Sequence, residues 1–134
     1  MSIPDEFIDP ETGRRVVHIS RHGGESASWY FHNYPFLHDL GDGQGDKLVY
    51  RGRTDKDWQL FTANLKTLEI QQLTDFTHDD RRLTEVLGKT RREAYYRDGR
   101  SLSAIHLDSG ETRTVAELPE HFAGAPATIN ADET

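Results

Sequence analysis

The chain has no cysteine, so neither a disulfide framework nor a thiolate metal site can be part of its design. It has no apolar run near the roughly 18 residues that a membrane-crossing helix needs. It also lacks a basic excess. Sixteen Lys and Arg stand against 23 Asp and Glu, a net charge of -7, with no basic stripe to offset it, which speaks against nucleic acid as a partner. The same balance gives no long-range attraction for an anionic sugar, so such a substrate would need local arginines. The N-terminal stretch MSIPDEFIDPETG is acidic and without an apolar centre. It is no secretory signal, and cytoplasmic residence is the expectation, with no membrane partner. Only 34% of residues are hydrophobic and 29% are charged, polar for a globular chain but short of the disordered extreme.

What the chain does have is an internal repeat with a period of about 42 residues. KLVYRGRTDKDWQLFTANLKTLEIQQLT, from Lys47 to Thr74, is echoed by REAYYRDGRSLSAIHLDSGETRTVAEL, from Arg92 to Leu118. Leu60, Leu65 and Glu69 fall on Leu102, Leu107 and Glu111, and Tyr50 falls on Tyr96 if the second copy has a loop shorter by four residues. Repeats of about 40 to 45 residues made of short strands mark β-propeller blades, each a four-stranded sheet. The expected fold is all-β: a partial β-propeller of about two four-stranded antiparallel blades, an N-terminal closing strand and the start of a third blade. Propellers close with about four to eight blades, so the functional unit is expected to be larger than these 134 residues, which would be the N-terminal part of one domain.

Residues 9–20 are expected to form the closing strand: a turn at Pro10-Glu11-Thr12-Gly13, then a strand over Arg15 to Ile19. Met1 to Pro10 reads as a lead-in, leaving Val16 and Val17 on an unpartnered edge. Blade one is expected over 28–74. Its innermost strand runs from Ser28 to Leu37, Asp39 to Asp46 is a turn-rich loop, and the next two strands are Lys47 to Arg51 and Trp58 to Leu65. Both faces of the Trp58 strand carry apolar residues, as expected of a blade sandwiched between neighbours. Blade two is expected over 79–118. Leu83, Val86, Leu87, Thr90 and Ala94 also have helical spacing, so a short amphipathic helix is the rival there. Residues 121–134 would begin the third blade.

The densest group of chemistry-bearing side chains is His18, Arg21, His22, Trp29, Tyr30, His32, Asn33 and Tyr34. An innermost strand lines the channel of a propeller, which would bring alternate members of Tyr30, His32 and Tyr34 to a ligand. The competing reading is an aromatic strand that fills the gap between blades. The seven histidines do not supply a metal site by spacing, since His18 and His22 align as ligands only on a helix. Asp39, Asp42 and Asp46 could surround calcium, but they lack the spaced acids and terminal glutamate of the known loop, and aspartate is common in turns for bonding its own backbone. No metal ligand and no catalytic residue is assigned within the chain.

The run from Trp29 to Asp75 resembles the first blade of the oligogalacturonate lyase family. There an aromatic YFHN-like strand leads to a DGKxLVF strand, an LY-x-x-DL strand and a QLT close. The matching residues are Tyr30-Phe31-His32-Asn33, Lys47-Leu48-Val49-Tyr50, Gln59-Leu60-Phe61 and Gln72-Leu73-Thr74, and DPETGRRVVHIS is similar to the family's N-terminal strand and turn. The loop GDGQG is longer than the family's DGG or DGK. The resemblance implies a seven-bladed propeller that cleaves oligogalacturonate, an anionic saccharide, by β-elimination. It implies a divalent metal, with manganese as the expectation, whose ligands and whose base come from later blades. What this segment would contribute is channel wall: His32, Asn33, Arg21, Arg51 and Arg53 as hydrogen-bond or carboxylate partners. The alternative function is a non-catalytic propeller that binds a glycan, a peptide or a protein.

Overall fold

A computed structural model of the chain describes residues 4–77 and 81–122. All of its regular structure is β, in eleven strands. β1 (Glu6–Ile8) and β2 (Arg15–Val17) form a hairpin. β3 (Ser26–Ala27), β4 (Phe36–Leu37), β5 (Lys47–Arg53), β6 (Trp58–Asn64) and β7 (Ile70–Gln72) form one antiparallel sheet, and β8 (Arg81–Gly88), β9 (Glu93–Asp98), β10 (Ser101–His106) and β11 (Thr112–Glu117) form a second. The strands of the second sheet follow one another in sequence order, and the first sheet keeps that order apart from its divided first strand. This is a partial β-propeller of two consecutive blades. The expected start of a third blade lies, from residue 123 on, outside the described residues.

The 42-residue period has a local cause. Asn64 N–H donates to Glu69 O and Leu68 N–H to Asn64 O, each at 2.8 Å, while His106 N–H donates to Glu111 O and Gly110 N–H to His106 O at the same distance. The same turn between third and fourth strands is thus built twice. Leu68 (φ 63°) and Gly110 (φ 76°) hold its left-handed position. Leu65 N–H donates to Asp46 O, and Leu107 N–H to Arg92 O. The second strands are therefore offset by four more residues than the third strands, matching the shorter loop in the second copy.

Two expectations are corrected and one choice between rivals is decided. Glu6–Ile8 is not a lead-in, because it pairs with β2, Phe7 opposite Val16, so the valines have a strand partner. Asp9 makes that hairpin: it accepts from Thr12 Oγ1 and, at 3.2 Å, from Glu11 N–H, while Gly13 takes a left-handed φ of 67°. Arg15 closes it across the strands on Glu6, at 2.6 and 2.8 Å. Secondly, residues 28–37 are not one innermost strand. Two short strands pair with opposite ends of β5, and the chain between them leaves the sheet. The expected strand of the second blade is present, and the rival helix is not: the helical spacing belongs to β8. On β8, Leu83 lies opposite Tyr96 and Leu87 opposite Ala94. Four steps on one strand oppose two on the other, so the strand bulges there. Residues i and i+4 share a face on a strand as they do on a helix, which is why the spacing fits both.

Blade one is covered on both faces. Trp29, Leu37, Val49 and Leu60 pack on Leu87, Ala94, Ile105 and Leu107 of blade two. Tyr50, Phe61 and Ala63 pack on the other side with Ile19 and Ile70. Burial without a charged partner raises the Tyr50 hydroxyl to a pKa of about 12. Gln59 is fully buried and ties the blades together. It donates to Phe76 O at 2.8 Å and accepts from Phe76 N–H at 2.7 Å and Thr74 Oγ1 at 2.9 Å. Thr74 Oγ1 in turn accepts from Leu60 N–H at 2.8 Å. The QLT sequence is therefore a polar lock on the crossover between blades.

Candidate functional site

The loop that interrupts the innermost strand of blade one is the most distinctive surface feature. Trp29 is buried and anchors its start. Pro35 O accepts from Val49 N–H at 2.8 Å and fixes its end, and Asn33 N–H turns back to Tyr30 O at 2.7 Å. Between these anchors three rings stand in solvent: Tyr30 is 56% exposed, Phe31 78% and Tyr34 47%. Such a cluster of large exposed rings is unusual unless something binds it. Tyr30 and Phe31 lie 4.4 Å apart between ring centroids, and Phe31 and His32 4.0 Å. Lys89, just after β8, sits 4.0 Å over the Tyr34 ring. Tyr34 Oη is also 3.2 Å from His38 Nε2.

The loop is joined to the second blade through Glu85. One carboxylate oxygen accepts from Tyr30 N–H at 2.8 Å, and the other meets Arg51 Nη2 at 2.8 Å. Arg51 also lies over the Trp58 ring, 5.9 Å from its centroid. Its Nε is buried without a hydrogen-bond partner. Loop, arginine and carboxylate form one cluster across the seam between the blades, joining the innermost strand of blade two to the loop and second strand of blade one.

The five site residues expected from sequence divide. His32, Asn33 and Arg51 belong to this cluster, the first two in a loop rather than a strand. Arg53 does not: it lies in a shallow pocket with His22, Gly24 and Thr54, 3.6 Å from Glu25. His22 is a packing residue there, its ring 4.6 Å from that of Phe61. A side chain at Gly24 would collide with Arg53 O at 2.0 Å, which accounts for the glycine. Arg21 is remote as well, donating to Leu68 O at 2.8 Å and lying 3.5 Å from Asp5. Sequence reasoning missed Glu85. The i, i+4 spacing of Leu83 and Leu87 carries no signal for it, because a regular strand and a helix share that spacing.

A second concavity, an open groove of about 520 Å³, lies under the loop of residues 39–46. Asp39 is spent on that loop: its carboxylate accepts from the N–H groups of Gly41, Asp42, Gly43 and Gly45 at 2.6 to 3.2 Å. Those bonds, that of Gly45 foremost, hold its pKa down to about 2. This is the turn chemistry expected of the aspartates, with the oxygens turned inward to the backbone. Across the groove Asp108 meets Arg92 at 2.6 Å and Lys47 at 2.6 Å, and the Arg92 hydrogen bond is the largest cause of its lowered pKa. Arg92 also donates to His38 O at 2.8 Å, so this cluster pins the seam between blades. Among the described residues, no three His, Cys, Asp or Glu converge as metal ligands. The described residues therefore offer no ligand set for the divalent metal implied by the resemblance.

Comparison with known proteins places these features in context. No protein-family model matches the chain. It is 27% identical over 119 residues to the oligogalacturonate lyase of Dickeya dadantii (strain 3937), covering 88% of this chain and 29% of that protein. It is also similar in structure to an oligogalacturonate lyase from Vibrio parahaemolyticus, with a TM-score of 0.61 and 21% identity over 86% of this chain and 29% of that one. The resemblance to oligogalacturonate lyases thus extends over both blades, beyond the run from Trp29 to Asp75. The chain spans less than a third of the length of either relative.

Proposed function

We propose that this chain forms the first two blades of a propeller lyase that cleaves oligogalacturonate by β-elimination, and that it contributes substrate-binding wall rather than the reacting groups. The observation that carries this reading is the similarity to an oligogalacturonate lyase across 88% of the chain. The geometry supports the division of labour. Exposed rings at Tyr30, Phe31 and Tyr34 suit the apolar faces of sugar rings. His32, Asn33 and Lys89 beside them can hydrogen-bond hydroxyls or balance a uronate carboxylate. β-Elimination must remove the weakly acidic C5 proton next to that carboxylate, so the carboxylate has to be neutralised as charge develops. A divalent metal would supply that neutralisation, but its ligands and the base would come from further blades.

Two preparations test this. The 134-residue chain alone should release no unsaturated uronate from oligogalacturonate. The protein extended by the remaining blades should release it when manganese or another divalent ion is supplied, and stop when the ion is chelated. An extended protein with no eliminase activity on any galacturonate oligomer would reject the lyase reading in favour of a propeller that only binds its ligand.

A further inference from the structure

We propose that Glu85 is a positioning residue: a strained bulge in β8 carries its carboxylate to the seam between blades, where it clamps the aromatic loop in its saccharide-binding shape. The proposal deepens the lyase reading and rests on it for the identity of the ligand, an anionic saccharide. Glu85 has a φ of 57°, in the left-handed region that non-glycine residues avoid. It does so inside the register break between Leu83 and Leu87. Both leucines pack on the core between the blades, and their pairing with Tyr96 and Ala94 pins the strand on either side of the bulge. The strain is therefore locked in by its neighbours, as such backbones require.

The carboxylate at this bulge is used on both sides. It is 16% exposed, with one oxygen on Tyr30 N–H and the other on Arg51. Tyr30 begins the exposed part of the loop, directly after the buried Trp29. Fixing that one N–H fixes where the Tyr30, Phe31 and His32 rings begin. A ring surface that is ordered before the ligand arrives avoids the entropy cost of ordering it on binding. Glu85 would thus raise affinity without touching the sugar.

The test separates positioning from simple stability. Glu85→Ala removes the carboxylate and keeps the backbone strain, Glu85→Gly removes both, and Glu85→Gln keeps one oxygen to accept from Tyr30 N–H. In the 134-residue chain, exchange of the Tyr30 amide should quicken roughly tenfold, about one hydrogen bond's worth, in the alanine and glycine variants and much less in the glutamine variant. Glu85→Gly should melt at a higher temperature than Glu85→Ala. Affinity for trigalacturonate should nevertheless fall equally in the two, following the amide and not the melting temperature, and Glu85→Gln should largely restore it. A Tyr30 amide that exchanges as in the unaltered chain, or an affinity that tracks melting temperature, would overturn the proposal. If the amide responds as expected but the unaltered chain does not bind trigalacturonate, the saccharide reading fails and the clamp stands.

Discussion

The two blades are built from the same strands and turns, yet they differ at their inner edges and at their exits. Blade one breaks its innermost strand and lets eight residues, 28–35, leave the sheet between β3 and β4. Blade two keeps that strand continuous but distorts it with the bulge at Glu85. The second and third strands, which make the repeated framework, carry no such distortion where they pair with each other. A smaller register shift lies at the outer strand of blade two, between Leu102 and Ser103. The two largest departures lie at the innermost strands, and they touch: the bulge of one blade holds the loop of the other. Local departures from an otherwise regular framework are where a function is to be sought.

The largest expected contrast is at the exits. Gln59 and Ser101 are equivalent in the repeat, but Gln59 is fully buried and locks the crossover through Phe76 and Thr74. The Ser101 hydroxyl reaches across to the exposed Glu117 carboxylate, at 2.6 Å. Gln59→Ala removes the three hydrogen bonds that a fully buried side chain makes to Phe76 N–H, Phe76 C=O and Thr74 Oγ1 and should cost about 3 kcal/mol, at about 1 kcal/mol per bond. Ser101→Ala should stay within about 0.5 kcal/mol. Chemical denaturation of the two variants measures both, and equal losses would break the contrast.

Next is the seam. Asp108→Ala leaves Arg92, whose side chain is only 11% exposed, without its carboxylate. The expected cost is about 2 kcal/mol, below that of a fully buried pair because Asp108 itself is one-third exposed. The same pair gives a pH dependence. The folded-state pKa of Asp108 is lowered, chiefly by the Arg92 hydrogen bond. Its contribution is therefore complete above the unfolded value of about 3.9 and is lost as pH falls through the lower folded value. Denaturation midpoints measured from pH 5 downward should fall less steeply in Asp108→Asn than in the unaltered chain.

A smaller contrast sits in the twin turns. A side chain at Gly110 would meet nothing within 4 Å, so Gly110→Ala should cost about 1 kcal/mol of backbone strain alone. Leu68→Gly relieves the same strain in blade one. Its gain should be smaller, because the half-buried leucine side chain is lost. Thermal melts of the two variants should move in opposite directions.

Much of the framework was legible in the sequence because it is local. The spacing of Leu60, Leu65 and Glu69 against Leu102, Leu107 and Glu111 reports a turn closed by backbone hydrogen bonds, and the glycine- and aspartate-rich run after His38 reports a loop whose aspartate caps its own amides. What depends on contacts between blades was not legible. The aromatic run from Trp29 to Tyr34 has strand composition, and only the burial of Trp29 together with the Glu85 bond explains why it leaves the sheet. Arg51 was legible as a candidate for its charge, but its partner lies 34 residues away on a bulge whose leucine spacing also fits a helix. Arg21 and Arg53 were chosen for charge alone, and the fold takes them elsewhere.

The inner edge as a saccharide-binding surface is tested most directly by following backbone amide resonances of the chain while trigalacturonate is added. The account predicts shifts centred on residues 30–34, with Glu85 and Lys89 moving alongside and the groove by Asp39, Lys47 and Arg92 unchanged. Shifts confined to that groove, or none at the aromatic loop at saturating saccharide, would contradict it.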